Sequence, residues 1–304
     1  MSGCHSHSAL PACPCHLKLC FIVNPRSGRA RRALSAITTF AQARGANLVF
    51  TERPRHASDL ARDALAQGCE VIAAVGGDGT MNEVASVLTG TTATLALVPC
   101  GSGNGLGRHL GIHGPTTRAL DIIAHGRTQL IDTGCAAGRT FFSVAGLGFE
   151  AVIAARFNQL VRRGFLRYLA TSARGLLEYQ PIECVVEFPG HRERVTAFTL
   201  AVANAAQYGN NARIAPAARI DDGRLNLTVV PPLTWLNTLP LCGRLFTGRL
   251  AHTSLVLQRE ATHFVVERAS AGPLHVDGEV FDGPARVEFT VKPRSLRIKV
   301  APHP

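Results

Sequence analysis

The segment Val75-Gly76-Gly77-Asp78-Gly79-Thr80-Met81-Asn82-Glu83 follows an apolar run and opens onto a helical pattern. Glycines without a Cβ let a backbone turn tightly and approach a phosphate, and the N–H groups of a helix start carry partial positive charge. Asp78 adds a carboxylate beside that cradle, the kind of ligand magnesium accepts together with water and phosphate oxygens. A plain glycine turn in which Asp78 only caps the helix is the competing reading. A second glycine-rich turn, Pro99-Cys100-Gly101-Ser102-Gly103-Asn104-Gly105, also follows an apolar run, and the absence of a Lys-Ser/Thr ending separates it from a Walker A loop. Asn24-Pro25-Arg26-Ser27-Gly28 closes a third such run. Three turns of this kind on one sheet place many backbone donors around one polyphosphate.

Acidic residues recur further along the chain. His275-Val276-Asp277-Gly278-Glu279 sets two carboxylates around a glycine, which is either an ordinary hairpin turn or, folded back to a cleft, a source of a base that takes the proton of an attacking hydroxyl. Ile220-Asp221-Asp222-Gly223-Arg224-Leu225 reads from spacing as an Asp-Gly turn leading into a strand. Gly146-Leu147-Gly148-Phe149-Glu150-Ala151 fits the dinucleotide pattern G-x-G-x-x-A, yet no acidic residue follows about 20 positions on to hold a ribose, so it reads as a chance match.

The elements that must position these residues alternate at first. Apolar runs at 17–23, 47–51, 71–75 and 95–98 interleave with helical spacing through Leu34, Ile37 and Phe40, then over 57–67 and 81–88, the cadence of a parallel α/β sheet. From about residue 127 the texture changes to closely spaced strand-like runs at 140–144, 184–188, 197–202, 225–229, 263–266 and 287–291. Helical patterns at 151–177 and 233–250 interrupt them. The expectation is an α/β N-terminal nucleotide-binding domain with a parallel sheet, followed by a C-terminal antiparallel β-sandwich domain, with a ligand cleft between them. Residues 17–126 and 292–304 form the first domain, 127–291 form the β-rich second domain that takes the substrate, and 1–16 form a disordered tail. Residues 233–250, with Trp235, Leu236, Leu239, Leu241, Leu245 and Phe246, read as a core helix, with a helix resting on a bilayer as the alternative.

Bulk properties narrow the partners. The 304 residues are 46% hydrophobic with a net charge of +11, which calls for an anionic partner. Aromatics make up only 6%, and no zinc-finger spacing or basic tract is present, so nucleic acid is not expected. No stretch is long and apolar enough to span a bilayer and the start lacks a signal-peptide pattern. The nine cysteines read as reduced thiols. A cytoplasmic, peripherally membrane-associated protein is expected. The Cys4, His5, His7, Cys13, Cys15, His16 cluster departs from tetrahedral zinc spacing, and a homodimer is compatible with the sequence.

Taken together, Asn24 to Gly28, Gly76 to Glu83, Gly101-Ser102-Gly103-Asn104, Asp222-Gly223 and Asp277-Gly278-Glu279, in that order, resemble the lipid kinase superfamily. It contains diacylglycerol kinase catalytic domains, bacterial lipid kinases, and the sphingosine and ceramide kinases. The likeness covers residues 17–299. It implies an ATP- and Mg2+-dependent enzyme that phosphorylates a primary hydroxyl of a lipid at an anionic membrane surface, and a final segment that returns to the first domain. By this resemblance Asn24, Ser27, Thr51, Gly76, Gly77, Gly79, Thr80, Ser102 and Glu279 contact ATP. Asp277 is the general base, and Asp78 acts on the magnesium-phosphate side or as the alternative base. Asp222, with the carbonyls of Leu225 and Leu227, is implied to hold a structural magnesium. Arg162, Gly164 and Arg167 resemble a phosphate-reaching pair of arginines, with Arg167 the better match. Glu150 falls where relatives hold a lipid head group, and it serves equally well as a helix N-terminal carboxylate. Ser102 leans towards the sphingosine and ceramide kinase branch, since bacterial diacylglycerol-type members carry Thr there. The rival readings are NAD kinase, which shares the Gly-Gly-Asp-Gly loop, and an inactive nucleotide- or lipid-binding protein of the same fold.

Overall fold

The computed structural model describes residues 18–158, 179–234 and 236–302. Its first half alternates strand and helix: β1 (Leu19–Val23), α1 (Ala30–Ala43), β2 (Asn47–Phe50), α2 (His56–Ala66), β3 (Val71–Gly76), α3 (Asp78–Leu88), β4 (Thr94–Pro99), α4 (Gly105–His109) and α5 (Thr116–His125). Strands β1, β3 and β4 are apolar end to end because helices cover both faces, and they pair in parallel. Helix α1 turns Ala33, Ile37 and Ala41, spaced four apart, onto that sheet.

The second half is mostly strands: β5 (Arg127–Ala136), β6 (Arg139–Phe141), β7 (Val144–Gly148), β8 (Ile182–Phe188), β9 (His191–Ala197), β10 (Thr199–Ala203), β11 (Leu225–Val230), β12 (Leu257–Ala261), β13 (His263–Arg268), β14 (Gly272–Val276), β15 (Glu279–Gly283) and β16 (Arg286–Val300). Among the described residues two α-helices interrupt them, α6 (Phe149–Asn158) and α7 (Thr238–Thr247). A 6-stranded antiparallel sheet runs β12-β11-β10-β7-β14-β15. It packs on the outer part of a 10-stranded sheet through a core that includes Phe141, Leu147, Val202, Leu227, Phe264 and Phe289, so the second half is a sandwich as expected.

The long strand β16 joins the halves. It pairs antiparallel with β13 and β5, and at Arg297 and Ile298 it pairs parallel with β4. The final segment therefore completes the first domain's sheet, and one continuous sheet carries both halves. The register between β5 and β16 shifts between Lys292 and Leu296, where Arg294 takes a left-handed φ of 49°, the mark of a bulge that bends a strand. Asp132, fully buried in β5, pins this bend: its carboxylate accepts the N–H of Arg294 at 2.7 Å and of Gly223 at 2.6 Å.

The helical expectation for 151–177 is met by α6 as far as Asn158, and its remainder lies outside the described residues, as do Trp235 and the expected tail. The core-helix reading of 233–250 is corrected. Within α7 only Leu241 is buried, while Leu236, Leu239 and Phe246 face solvent.

Candidate active site

Parallel strands end on one edge of their sheet, so β1, β3 and β4 deliver their following loops to the same place. The three loops are packed so closely that glycine is required. A Cβ on Gly101 would lie 2.6 Å from the Cα of Gly77, and one on Gly28 would collide with the carbonyl oxygen of Cys100. Around Gly79 the space is open. Met81 is the first residue of α3 to donate back into the turn, to the carbonyl of Gly77 at 3.1 Å. The preceding N–H groups of that first turn have no intrahelical acceptor and are available to an anion.

Side chains lock the loops together. Asn24 Nδ2 donates to Thr80 Oγ1 at 3.1 Å, and Asn24 Oδ1 accepts the N–H of Arg26. Asn104, in a left-handed conformation, closes the second glycine loop by accepting from Gly101 N and donating to Gly101 O. Asp78 crosses between loops: its carboxylate accepts the N–H of Asn104 at 2.8 Å and of Gly105 at 2.7 Å, at the start of α4. Ser27 lies near Gly77, Ser102 is exposed at the loop tip, and Thr51 donates its N–H to the end of β1. The structure thus brings Asn24, Ser27, Thr51, Gly76, Gly77, Asp78, Gly79, Thr80 and Ser102 to one edge of the first domain.

Asp277 comes to this edge from the sandwich. The β14–β15 hairpin puts it at φ 48°, and its carboxylate accepts three backbone N–H groups, from Phe142, Ser143 and Val144, at 2.8, 2.8 and 3.0 Å. Its own N–H donates to Val144 O. Burial pushes its carboxyl up to about 6, against the lowering effect of those N–H groups, and the nearness of Asp78 adds to the rise. The two acids hold adjoining backbone: Asp78 accepts the Gly105 N–H, a Cβ on Gly105 would lie 3.4 Å from Ser143 Oγ, and Asp277 accepts the Ser143 N–H. A second pair accompanies them. Burial raises the Glu83 carboxyl and Glu279 raises it further, while the N–H of Ala57, in the first turn of α2, donates to Glu83 at 2.9 Å. Glu279 itself is exposed.

Glu150 sits behind the β14–β15 turn. Only 11% of its side chain is exposed; the Tyr208 hydroxyl donates to Oε2, and Oε1 lies 3.1 Å from Nε2 of the buried His275. The other ring nitrogen of His275 accepts the Gly278 N–H at 3.4 Å. Gly146 leaves the room this requires, since a Cβ there would collide with Glu150 Oε1. The Gly146-to-Ala151 motif, read above as a chance match, therefore has a packing cause unrelated to dinucleotides.

Asp222 is not joined to a cation cluster. Its carboxylate accepts the Arg224 N–H within its own turn, and Leu225 and Leu227 lie in β11, which is paired along both edges. Among the described residues no group of three or more His, Cys, Asp or Glu side chains is placed to hold a metal ion. Asp78, beside the open space at Gly79, is the carboxylate that would join phosphate oxygens in holding a magnesium ion. Arg162 and Arg167 lie outside the described residues. Sequence reasoning passed over Asp132 and His275. An Asp inside the apolar strand Leu130-Ile131-Asp132 was the available signal for the first, since a buried charge needs partners.

The comparisons with known proteins agree with this geometry. Residues 18–136 match the diacylglycerol kinase catalytic domain family, and residues 143–300 match the YegS C-terminal NAD kinase beta sandwich-like domain. A Pseudomonas aeruginosa protein named "Probable lipid kinase YegS-like" is 30% identical over 244 residues, 79% of each chain. A Mycobacterium tuberculosis diacylglycerol kinase is 28% identical over 295 residues, covering 92% of this chain and 94% of its own. The crystal structure of a diacylglycerol kinase from Bacillus anthracis superposes with a TM-score of 0.74 at 18% identity, over 94% of this chain and 97% of that one. With both halves matched in order and the catalytic-domain loops assembled at one edge, the chain belongs to the YegS-like and diacylglycerol kinase family of lipid kinases.

Proposed function

We infer that the protein transfers the γ-phosphoryl group of ATP, with Mg2+, to a primary hydroxyl of a membrane lipid of the diacylglycerol or sphingosine type. The observation that carries this reading is the locking of three glycine loops at one edge, where Asp78 holds the Gly105 N–H, Gly105 packs beside Ser143, and Asp277 holds the Ser143 N–H. Phosphoryl transfer needs little beyond positioning and charge neutralisation. The backbone donors at Gly77, Gly79 and Thr80 bind the phosphates, with Asn24, Ser27, Thr51, Gly76 and Ser102 shaping the cradle and Arg167 and Glu279 as further ATP contacts. Magnesium, when bound beside Asp78, offsets phosphate charge. Asp222 with the carbonyls of Leu225 and Leu227 is carried by resemblance alone as a structural magnesium site, since Asp222 accepts the Arg224 N–H and β11 is paired on both edges.

Asp277 is the base. A carboxylate offers about four lone-pair sites; three are occupied by N–H groups, which leaves one for the acceptor hydroxyl. A carboxyl raised to about 6 is ionised at neutral pH while remaining a better proton acceptor than an ordinary aspartate. Glu150, largely buried, reaches the lipid's polar end through the His275 and Tyr208 cluster rather than as an open carboxylate.

The test is ATP-dependent transfer of radiolabelled phosphate to mixed micelles of diacylglycerol, monoacylglycerol, sphingosine, ceramide or phosphatidylglycerol, with NAD as the soluble control. Label in one lipid names the acceptor. Label in NAD alone replaces this reading, and ATP binding without label in any acceptor leaves an inactive relative.

A further inference from the structure

Helix α7 carries two apolar stripes where a surface helix of a globular domain has one. Leu241 and Leu245, four residues apart, turn inward to the cluster that holds Val144, Phe149, Ala201 and Tyr208. Leu239, Cys242 and Phe246, at the spacing i, i+3, i+7, turn outward, with Leu239 79% and Phe246 45% exposed. Leu236, 66% exposed, extends this stripe before the helix, and Leu255, 36% exposed, lies beyond it. These are the most exposed large apolar side chains of the described residues apart from Phe50. Scattered exposed leucines need no explanation, but four of the five exposed large apolar side chains among the described residues fall within residues 236–255, which marks a contact surface.

The charge around the stripe has one sign. No acidic residue occurs between Asp222 and Glu260, whereas Arg244 and Arg249 lie within that stretch. Arg213 packs over Gly248, the left-handed residue that ends α7. Among the described residues no carboxylate pairs with Arg244 or Arg249: Arg244 Nη1 donates to the His252 carbonyl, and Arg249 is exposed. An exposed apolar stripe on a segment that carries arginines and no carboxylate matches the boundary between acyl chains and anionic head groups. It matches a second copy of the chain poorly, because a two-fold contact would set the same arginines opposite one another.

We propose that α7, with Leu236 and Leu255, is the surface by which the protein docks onto an anionic lipid bilayer. The proposal rests on the lipid-kinase reading and adds the place of contact. The inner stripe of α7 packs in one cluster with Val144, whose N–H donates to Asp277 and whose carbonyl accepts the Asp277 N–H. The helix that carries the outer stripe is thus packed against the backbone that holds Asp277.

The experiment is vesicle flotation of the full chain, with vesicles of phosphatidylcholine alone or mixed with phosphatidylglycerol. In parallel, phosphate transfer to a short-chain diacylglycerol dissolved as monomers is followed. The wild type is expected to bind the mixed vesicles roughly tenfold or more tightly than the neutral ones. Leu239→Ser with Phe246→Ser should weaken flotation by about tenfold or more while leaving kcat on the soluble acceptor unchanged. Arg249→Glu should remove the preference for phosphatidylglycerol. Flotation of the double variant equal to wild type overturns the proposal. So does a wild-type dimer that the double variant splits in sedimentation velocity while vesicle binding persists. A wild type that floats by this patch yet phosphorylates no lipid supports the docking surface and removes the catalytic reading instead.

Discussion

The nucleotide edge and the acceptor edge of the cleft are built on different plans. On the nucleotide edge, Asp78 lies within the same glycine loop that forms the cradle, and its two N–H partners belong to the next loop, 26 and 27 residues away. On the acceptor edge, Asp277 depends on N–H groups 133 to 135 residues away, and Glu150 depends on Tyr208 and His275. The first edge is made of short contiguous turns whose glycines are dictated by close packing. The second is assembled from strand ends that only the finished sandwich brings together. Damage to the first should therefore be local, and damage to the second should couple catalysis to stability.

The largest expected effect tests that coupling directly. Asp277→Asn keeps the size of the side chain but places an amide NH2 where two oxygens accepted three N–H groups. We expect kcat to fall by about 10²–10⁴, the range of a general base, and unfolding to become easier by roughly 1–3 kcal/mol for the buried donors left without acceptors. Denaturant unfolding beside steady-state kinetics checks both. A loss of activity with unchanged stability breaks the comparison, and unchanged kcat moves the base to Asp78.

Acidity should act on the same residue. Below about pH 6 the Asp277 carboxyl is protonated, so kcat/KM should decline about tenfold per pH unit on the acid side. The sign for stability is the reverse. Because the folded protein holds this carboxyl above its ordinary range, Asp277 favours the folded state below about pH 4. That contribution disappears as the pH rises through about 6. In Asp277→Asn both dependences should vanish, and a wild-type profile flat from about pH 5 to about pH 8 would remove Asp277 as the titrating base.

A single methyl group probes the nucleotide edge. Gly101→Ala introduces a Cβ 2.6 Å from the Cα of Gly77, backbone against backbone, so the two loops must part. The apparent KM for ATP should rise by an order of magnitude or more, since a misplacement of about 1 Å costs on the order of 10²-fold. Binding of lipid vesicles should be untouched. Isothermal titration with ATP separates this from a folding defect.

The same contrast sets what could be read in the sequence. The shape and placement of loops 24–28, 76–83 and 101–104 were legible because each is a contiguous stretch whose residue types have one physical cause: glycine for approach, Asn or Asp for turns. The parallel half was legible for a related reason, since β1, β3 and β4 are buried on both faces and read as continuous apolar runs. Asp132 and His275 were not, because their partners Arg294, Gly223 and Glu150 are distant in the chain. Helix α7 was misread as core for another reason. Periodicity shows that a helix has an apolar face, but not whether protein covers it, and here the covered residues are Leu241 and Leu245 rather than Leu239 and Phe246.

The smallest predicted effect sharpens the claim that the nucleotide edge is locally determined. Thr80 is 5% exposed; its Oγ1 accepts from Asn24 Nδ2, and its side chain packs where a Cβ on Gly76 would sit. Thr80→Val preserves the shape and deletes the acceptor, leaving the Asn24 amide to seek another partner. Stability should drop by about 0.5–1.5 kcal/mol, with the ATP affinity reduced several-fold because Asn24 no longer holds the first loop against the second. Thr80→Ser, which keeps the hydroxyl, should restore ATP affinity while remaining less stable through the lost methyl group. If Thr80→Ser binds ATP as poorly as Thr80→Val, the hydrogen bond does not order the loops. Packing against Gly76 would then be the stronger constraint on this edge.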